Sequence, residues 1–150
     1  MSFQQKNVAV SLANFTLILV FFIIRVLQMV LSGSFTSTNV FRLWGIIIVL
    51  AIVVTIFATI ITHIVSAIIE AIKTQQEPEI EDFADERDKL IDLKGTQVTY
   101  LVSSIGVFLA MLTFVFGQPP LVMFTLLIFF GVLAQVIGDT SRLYLYRRGF

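Results

Sequence analysis

Long apolar segments alternate with short polar ones along the chain, and this alternation is its main pattern. The four apolar segments cover about residues 11–31, 43–69, 97–117 and 119–141. Each is about as long as the ~20 residues that an α-helix needs to cross the hydrocarbon core of a bilayer. The pattern therefore predicts an all-α fold, a four-helix transmembrane bundle that forms one integral membrane domain over residues 1–150.

Two short connections predict how neighbouring helices turn. The first, from Ser32 to Asn39, is polar, and its hydroxyl groups and the Asn39 side chain can cap the flanking helix ends. The other, from Gly117 to Pro120, joins a residue that ends helices to two prolines that begin them. Because this connection is so short, the third and fourth helices should form an antiparallel hairpin.

The remaining connection, residues 70–96, carries nine of the ten acidic residues and four of the ten basic ones. Pro78 suits the start of a helix over residues 79–94, which we expect to end near Gly95. Its apolar residues recur near helical spacing, at Ile80, Phe83, Leu90 and Ile91. The segment predicts a short amphipathic cytoplasmic helix between spans 2 and 3, lying at the interface or continuing into the third span.

Composition supports a membrane location. Apolar residues make up 57% of the chain, charged residues 13%, and the mean hydropathy is +0.96, so polar side chains are too few to cover a water-soluble molecule. The absence of cysteine excludes disulfides, thiolate metal sites and a thiol nucleophile. The net charge of zero predicts no direct binding of nucleic acid.

Basic residues in the connections and termini predict the orientation. Those on one side are Lys6, Lys73, Arg87, Lys89, Lys94, Arg147 and Arg148, against Arg42 on the other. Because Lys and Arg concentrate in cytoplasmic loops, both termini and the 70–96 loop should be cytoplasmic, in the plasma or inner membrane of the cell. The first span should remain uncleaved, since its apolar run is too long for a signal peptide and contains Arg25.

Arg25 is the most unusual residue within the spans. It lies some 14 residues into the first apolar segment, about 21 Å from the cytoplasmic start and in the outer half of the bilayer. Other polar residues share its helix face, namely Ser11, Asn14, Gln28 and Ser32. That face should point into the bundle and could form an anion site or a substrate contact. Alternatively, Arg25 extends outward or bonds backbone carbonyls near the first loop.

The second span has its own polar stripe. Its members step by three or four residues and are Thr55, Thr59, His63, Ser66 and Glu70. His63 and Glu70 could relay protons along it, or the hydroxyls could bond their own helix and His63 a neighbouring one. A single histidine offers no bis-imidazole pair, so we expect no haem and no other cofactor.

Small residues in the last two spans predict close helix packing. They are Ser103, Gly106, Ala110, Thr113 and Gly117 in the third span, and Gly131 and Gly138, with Gln135, in the fourth. Such packing faces also make a homodimer plausible. Asp139 lies near the inner end of the fourth span, where it could pair with Arg142 or a basic loop residue and anchor that end.

The densest set of charged and apolar residues is cytoplasmic. Its members are Asp85, Glu86, Arg87, Asp88, Lys89, Leu90, Ile91, Asp92, Leu93 and Lys94. On a helix these carboxylates do not wrap around an ion as a loop does, so metal binding is not expected. The helix could instead dock a cytosolic or membrane partner, or it could be a solvated helix with surface ion pairs.

This run resembles a feature of small four-span prokaryotic membrane proteins of unknown function, in which a D-E-R-D/E-x-L-I-x-x-K stretch precedes the third helix. The matching residues are Asp85, Glu86, Arg87, Asp88, Leu90, Ile91 and Lys94. Members of such groups are often encoded beside short helix-turn-helix regulators. The resemblance implies a membrane-tethering or signalling role, with a cytosolic regulator as one possible partner.

No combination of residues predicts an enzyme. The serines are scattered, and metalloprotease, nucleophile-elbow and phosphate-loop motifs are missing. The sequence thus favours a membrane-anchored interaction or regulatory protein that binds a partner through the 79–94 helix. The alternative is a small homo-oligomeric transporter or channel that uses Arg25 and the Thr55 to Glu70 stripe.

Overall fold

The computed structural model describes residues 3–74 and 86–148, except the side chains of residues 3, 58, 62, 63, 65–67 and 69–74. Four helices account for nearly all of this part of the chain. They are α1 (Phe3–Leu31), α2 (Ser37–Thr74), α3 (Glu86–Val115) and α4 (Pro120–Arg148). Each contains a segment long and apolar enough to cross a membrane, so the predicted all-α bundle of four candidate spans is confirmed.

The two short connections have the cap structures that their residues favour. Gly33 and Gly117 adopt positive φ angles of 67° and 79°, a conformation that glycine takes without steric cost. After α1, the Ser34 amide donates to the Met29 carbonyl at 2.9 Å, and after α3 the Gln118 amide donates to the Thr113 carbonyl at 3.0 Å. Both helices therefore end in a Schellman motif.

The start of α2 is also held by polar groups of the first connection. The Thr36 hydroxyl accepts from the Asn39 amide at 3.5 Å, and the Asn39 side chain donates to the Ser34 carbonyl at 2.8 Å. The predicted capping role of this connection is thereby confirmed.

The helices are not equally central. α3 and α4 have the most extensive contact, α1 packs against α4 and α2, and α2 meets α4 only briefly. The main buried apolar cluster is shared by α1, α2 and α4, and consists of Ile18, Phe22, Met29, Leu43, Ile47 and Val132. Most other large apolar side chains are exposed, as expected where lipid rather than water surrounds a protein.

Close approach of α3 and α4 depends on glycine. A Cβ atom on Gly106 would overlap Phe130, and one on Gly138 would overlap Thr99 and lie 3.3 Å from the Gly95 carbonyl oxygen. These positions confirm both the antiparallel hairpin and the predicted use of small residues for helix packing. Gly131 differs, because nothing lies within 4 Å of its would-be Cβ.

For its described residues, the helix predicted over residues 79–94 continues into the third span, which was one of the two arrangements expected. Residues 86–94 are the first turns of α3, which continues without a break to Val115, so the expected end near Gly95 is wrong. Gly95 does not end the helix. It lies where the Arg142 side chain crosses α3, and a Cβ there would overlap that side chain. Ile80, Phe83 and Asp85 lie outside the described residues.

Candidate functional site

Arg142, near the end of α4, joins that helix to α3. Its Nε donates to Asp92 Oδ1 at 2.9 Å, its Nη1 to Asp139 Oδ1 at 2.9 Å, and its Nη2 to Thr96 Oγ1 at 2.8 Å. The side chain is only 11% exposed, although its partner Asp92 is 72% exposed. The planar guanidinium suits this arrangement, because its donors point in fixed directions toward three acceptors.

Asp139 joins α4 to α1. Its carboxylate is 3% exposed and accepts from Ser11 Oγ at 2.6 Å, Gln135 Nε2 at 3.2 Å and Arg142 Nη1 at 2.9 Å. A buried carboxylate is tolerated only when it is paired and hydrogen-bonded, and both conditions are met here. The sequence-based pairing of Asp139 with Arg142 is confirmed.

Helical spacing explains why these residues meet. Gln135, Asp139 and Arg142 step by four and three residues, so they share one face of α4. Asn7, Ser11 and Asn14 repeat the same spacing on α1. We call the set of Ser11, Asp92, Thr96, Gln135, Asp139 and Arg142 the inner polar cluster.

Two further polar residues of α1, Asn7 and Asn14, lie four and three residues from Ser11 in the sequence. Asn7 Oδ1 and Asn14 Nδ2 are buried and have no hydrogen-bond partner among the described residues. Asn14 therefore lies on the inner face of α1, as the sequence predicts.

A small pocket opens beside the cluster. Its volume is about 180 Å³, and its polar lining comes from Gln4, Asp88, Lys89, Asp92, Arg142 and Tyr146. Tyr146 and Asp88 lie close to each other in the wall of this pocket. Both signs of charge line the pocket, and no group of three or more potential metal ligands occurs among the described residues. The cluster and pocket can thus fix three helices to one another and offer charged groups to the surface.

Arg25 and Gln28 do not belong to this cluster. Both are exposed, and Arg25 Nη1 donates to Gln28 Oε1 at 3.1 Å. The expectation that their face points into the bundle is wrong, because Phe22 and Met29 occupy the inward side of this part of α1. These two side chains could line a path only between copies of the chain.

The polar stripe of α2 is only partly described. Thr55 and Thr59 are exposed, and Thr59 Oγ1 donates to the Thr55 carbonyl at 2.8 Å, which is the own-helix bond expected of such hydroxyls. The side chains of His63, Ser66 and Glu70 lie outside the described residues. The proton relay therefore stays a prediction.

The proposed partner-binding residues divide between the surface and the core. Glu86, Arg87 and Leu90 are exposed, whereas Asp88 and Lys94 are partly buried. Ile91 is fully buried. The sequence predicts that Ile91 helps to bind a partner, but its side chain is not accessible to one. Adjacent residues on a helix point about 100° apart, so Leu90 can be exposed while Ile91 is buried.

Sequence reasoning missed the contacts between helices in the cluster. Nothing in the chain indicates which of several polar residues Arg142 would reach on α3, 46 or 50 residues away. The matching spacing of polar residues on α1 and α4 is a signal that could have indicated the link through Ser11.

No protein-family model, no curated protein and no solved structure matches this chain. The resemblance of residues 85–94 to a group of four-span proteins therefore stays a prediction.

Proposed function

We propose that this protein is a membrane-anchored interaction protein that binds a partner through the first turns of α3. The residues concerned are exposed at that end of the helix and exclude Asp92, whose carboxylate is bound to Arg142. We call them the presenting surface: Glu86, Arg87, Lys89, Leu90 and Leu93. The orientation predicted from the basic residues would place this surface in the cytoplasm.

One observation carries the proposal, namely the attachment of these turns to the rest of the bundle. Arg142 binds Asp92 and Thr96 of α3, while Asp139 connects the same part of α4 to α1. A surface held in this way loses little conformational entropy when a partner binds. Two hydrogen bonds from Arg142 thus hold the first turns of α3 against α4, and a third holds α4 against α1.

The chemistry of the presenting surface favours a protein over lipid as partner. Leu90 and Leu93 are 50% and 55% exposed and are accompanied by one carboxylate and two basic groups. Apolar side chains within a charged rim are common at protein interfaces. Anionic lipid would favour basic residues alone, and Glu86 would oppose it.

Site-specific photo-crosslinking in native membranes tests the proposal. A photo-reactive residue replaces Leu90 in one variant and Leu101 in a matched control. Leu101 lies eleven residues further along α3, on the same side of the helix, and is 62% exposed. We expect Leu90 to capture one protein in a saturable manner and Leu101 to capture lipid.

The captured protein is then purified and its binding measured directly. Leu93→Ser should weaken that binding about tenfold or more, because it removes one of the two apolar side chains of the presenting surface. Leu101→Ser should leave binding unchanged. Capture at Leu90 of lipid alone, or only of copies of this chain, would overturn the proposal.

A further inference from the structure

We propose that Arg25 and Gln28 form a binding site for the phosphate group of a phospholipid, in the leaflet at the end of the bundle opposite the inner polar cluster. The site lies on the outer surface of α1 and is separate from the presenting surface.

The first argument is the apolar setting of Arg25. It lies six residues before the end of α1, so its Cα is about 9 Å from the helix end. Its exposed neighbours Phe21, Ile24 and Leu27 are apolar. An unpaired charge at such a position costs a few kcal/mol on insertion scales, and this cost selects for a counter-ion.

The second argument is the hydrogen bonding of the pair. Among the described residues, Gln28 is the one partner of Arg25, and it is uncharged. Because arginine has no acceptor, Gln28 must present its Oε1 to Arg25, which leaves its Nε2 as a donor. The pair therefore offers the remaining guanidinium N–H groups and the Gln28 Nε2 group, beside one remaining lone pair of Gln28 Oε1. Several N–H donors with a positive charge among them suit an anion.

The third argument concerns which anion can reach the site. Every acidic residue of the chain is either Asp139 or lies within residues 70–92, and none lies between Met1 and Ile69. Asp139 is bonded to Ser11, 14 residues before Arg25 on α1 and thus about 21 Å away along the helix. Among the described carboxylates, Asp92 binds the same arginine as Asp139, and Glu86 and Asp88 precede Asp92 on α3, so a second copy in the same orientation would carry all four at that distant level. None of these described carboxylates can reach Arg25, so the proposed counter-ion is an anion from outside the protein.

The fourth argument is that lipid phosphate lies at the right level. Phe41 and Trp44, near the start of α2, are exposed and in edge contact, with ring centroids 6.2 Å apart. Exposed Trp is characteristic of the membrane interface. Gln28 lies one turn nearer to the end of α1 than Arg25, so the hydrogen bond draws the guanidinium toward this interface. Its planar donors match two phosphate oxygens.

Lipid binding to the purified protein in detergent tests the site, with native mass spectrometry as the readout. The probes are phosphatidylglycerol, a diacylglycerol that lacks phosphate, and inorganic phosphate. We expect the protein to bind phosphatidylglycerol, and Arg25→Gln to weaken this binding about tenfold or more, since charge-assisted hydrogen bonds are lost. Arg25→Lys should bind with an affinity between those of Arg25→Gln and the parent protein, because a point charge still binds phosphate but does not match two of its oxygens.

Arg147→Gln is the matched control, since Arg147 is an exposed arginine at the other end of the bundle. It should leave the affinity unchanged, and circular dichroism should report equal helicity for all variants. In a second variant, Gln28→Met, the affinity for phosphatidylglycerol should fall less than in Arg25→Gln. Equal affinity of Arg25→Gln and the parent protein would overturn the proposal. If diacylglycerol binds as tightly as phosphatidylglycerol, the phosphate group is not what the site recognises. If inorganic phosphate binds as tightly, the ligand is a soluble anion and not a lipid.

Discussion

Arg142 and Asp139 are largely removed from solvent, so their interaction is governed by the cost of leaving either one without a partner. The Arg142 side chain is 11% exposed and that of Asp139 is 3% exposed. Taking such charges out of water is expensive, and the attraction between them offsets this cost only with good geometry and further hydrogen bonds. Ser11, Gln135 and Thr96 supply those bonds. The cluster therefore depends on all of its members together.

We predict that Arg142→Met destabilises the bundle by about 3–5 kcal/mol, because it leaves the buried Asp139 carboxylate without its cation. The loss should appear in reversible denaturant unfolding of the protein in micelles. Arg147→Met, which removes an exposed arginine of the same helix, should change stability by no more than about 0.5 kcal/mol.

The double variant Asp139→Leu with Arg142→Met separates an unpaired charge from lost packing. We expect it to recover most of the stability lost in Arg142→Met, since replacing a whole buried ion pair is often neutral. If the single and double variants are equally unstable, the charge on Asp139 is not the cause.

At this scale the sequence predicted contacts within a helix better than contacts between helices. Asp139 and Arg142 are three residues apart on α4, and their pairing follows from helical spacing. The orientation of Arg25 did not follow from its spacing. Regular spacing shows which residues share a face, but it does not show which side of α1 its neighbours cover.

At the level of the helix, the packing of α3 against α4 determines how closely the residues of the inner polar cluster approach one another. Gly95 lies beneath Arg142, and Gly138 lies against Thr99. The absence of a Cβ at both positions lets Arg142 cross the surface of α3. Small residues at helix contacts are the usual means of close packing in membranes.

Two glycines of α4 should respond oppositely to the same substitution. Gly138→Ala should destabilise the protein by about 1–3 kcal/mol, because its Cβ would overlap Thr99 and crowd the Gly95 carbonyl. Gly131→Ala should be neutral or stabilising by up to about 1 kcal/mol, since alanine favours helix. Its Cβ would enter an apolar cavity of about 490 Å³ between α1, α2 and α4.

Both variants are compared with the parent by thermal unfolding in the same detergent. Destabilisation of similar size at the two positions would contradict the packing explanation and indicate instead a general requirement for glycine in α4.

The predicted helix over residues 79–94 shows why the ends of elements are harder to derive than their existence. Glycine often marks the end of a helix, and the apolar pattern of the sequence changes at Gly95. In the structure it lies inside α3, because glycine is needed for the approach of Arg142. The same residue type serves both purposes, and the sequence alone does not distinguish them.

For the molecule as a whole, hydropathy determined the number of spans but not their arrangement. In a four-helix membrane bundle every helix has a side that faces lipid, so apolar residues cover both the faces that touch protein and those that do not. Which helices touch depends on packing details. Here α1 and α4 contact each other in the middle, α2 packs against α1, and α3 packs against α4. The short connections predicted one neighbour relation, the α3–α4 hairpin, because their length leaves no other arrangement.

The last prediction concerns orientation, and the chain is well suited to test it because it contains no cysteine. Single cysteines can be introduced at Gln118, between α3 and α4, and at Arg87, in the first turn of α3; both residues are exposed. Because basic residues favour the cytoplasmic side, Gln118→Cys should react with an impermeant maleimide in intact cells. Arg87→Cys should react only after the membrane is permeabilised.

Phe108→Cys is the control for lipid protection, since Phe108 is 62% exposed and lies well inside α3, where lipid should shield it from the reagent on both sides. The reverse labelling of Gln118→Cys and Arg87→Cys would place the presenting surface outside the cell. A cytosolic partner would then be excluded, whereas the phosphate site would remain possible in the other leaflet, because it depends on the position of Arg25 and not on the direction of the chain. The labelling experiment therefore separates the two proposals, which rest on opposite ends of the bundle.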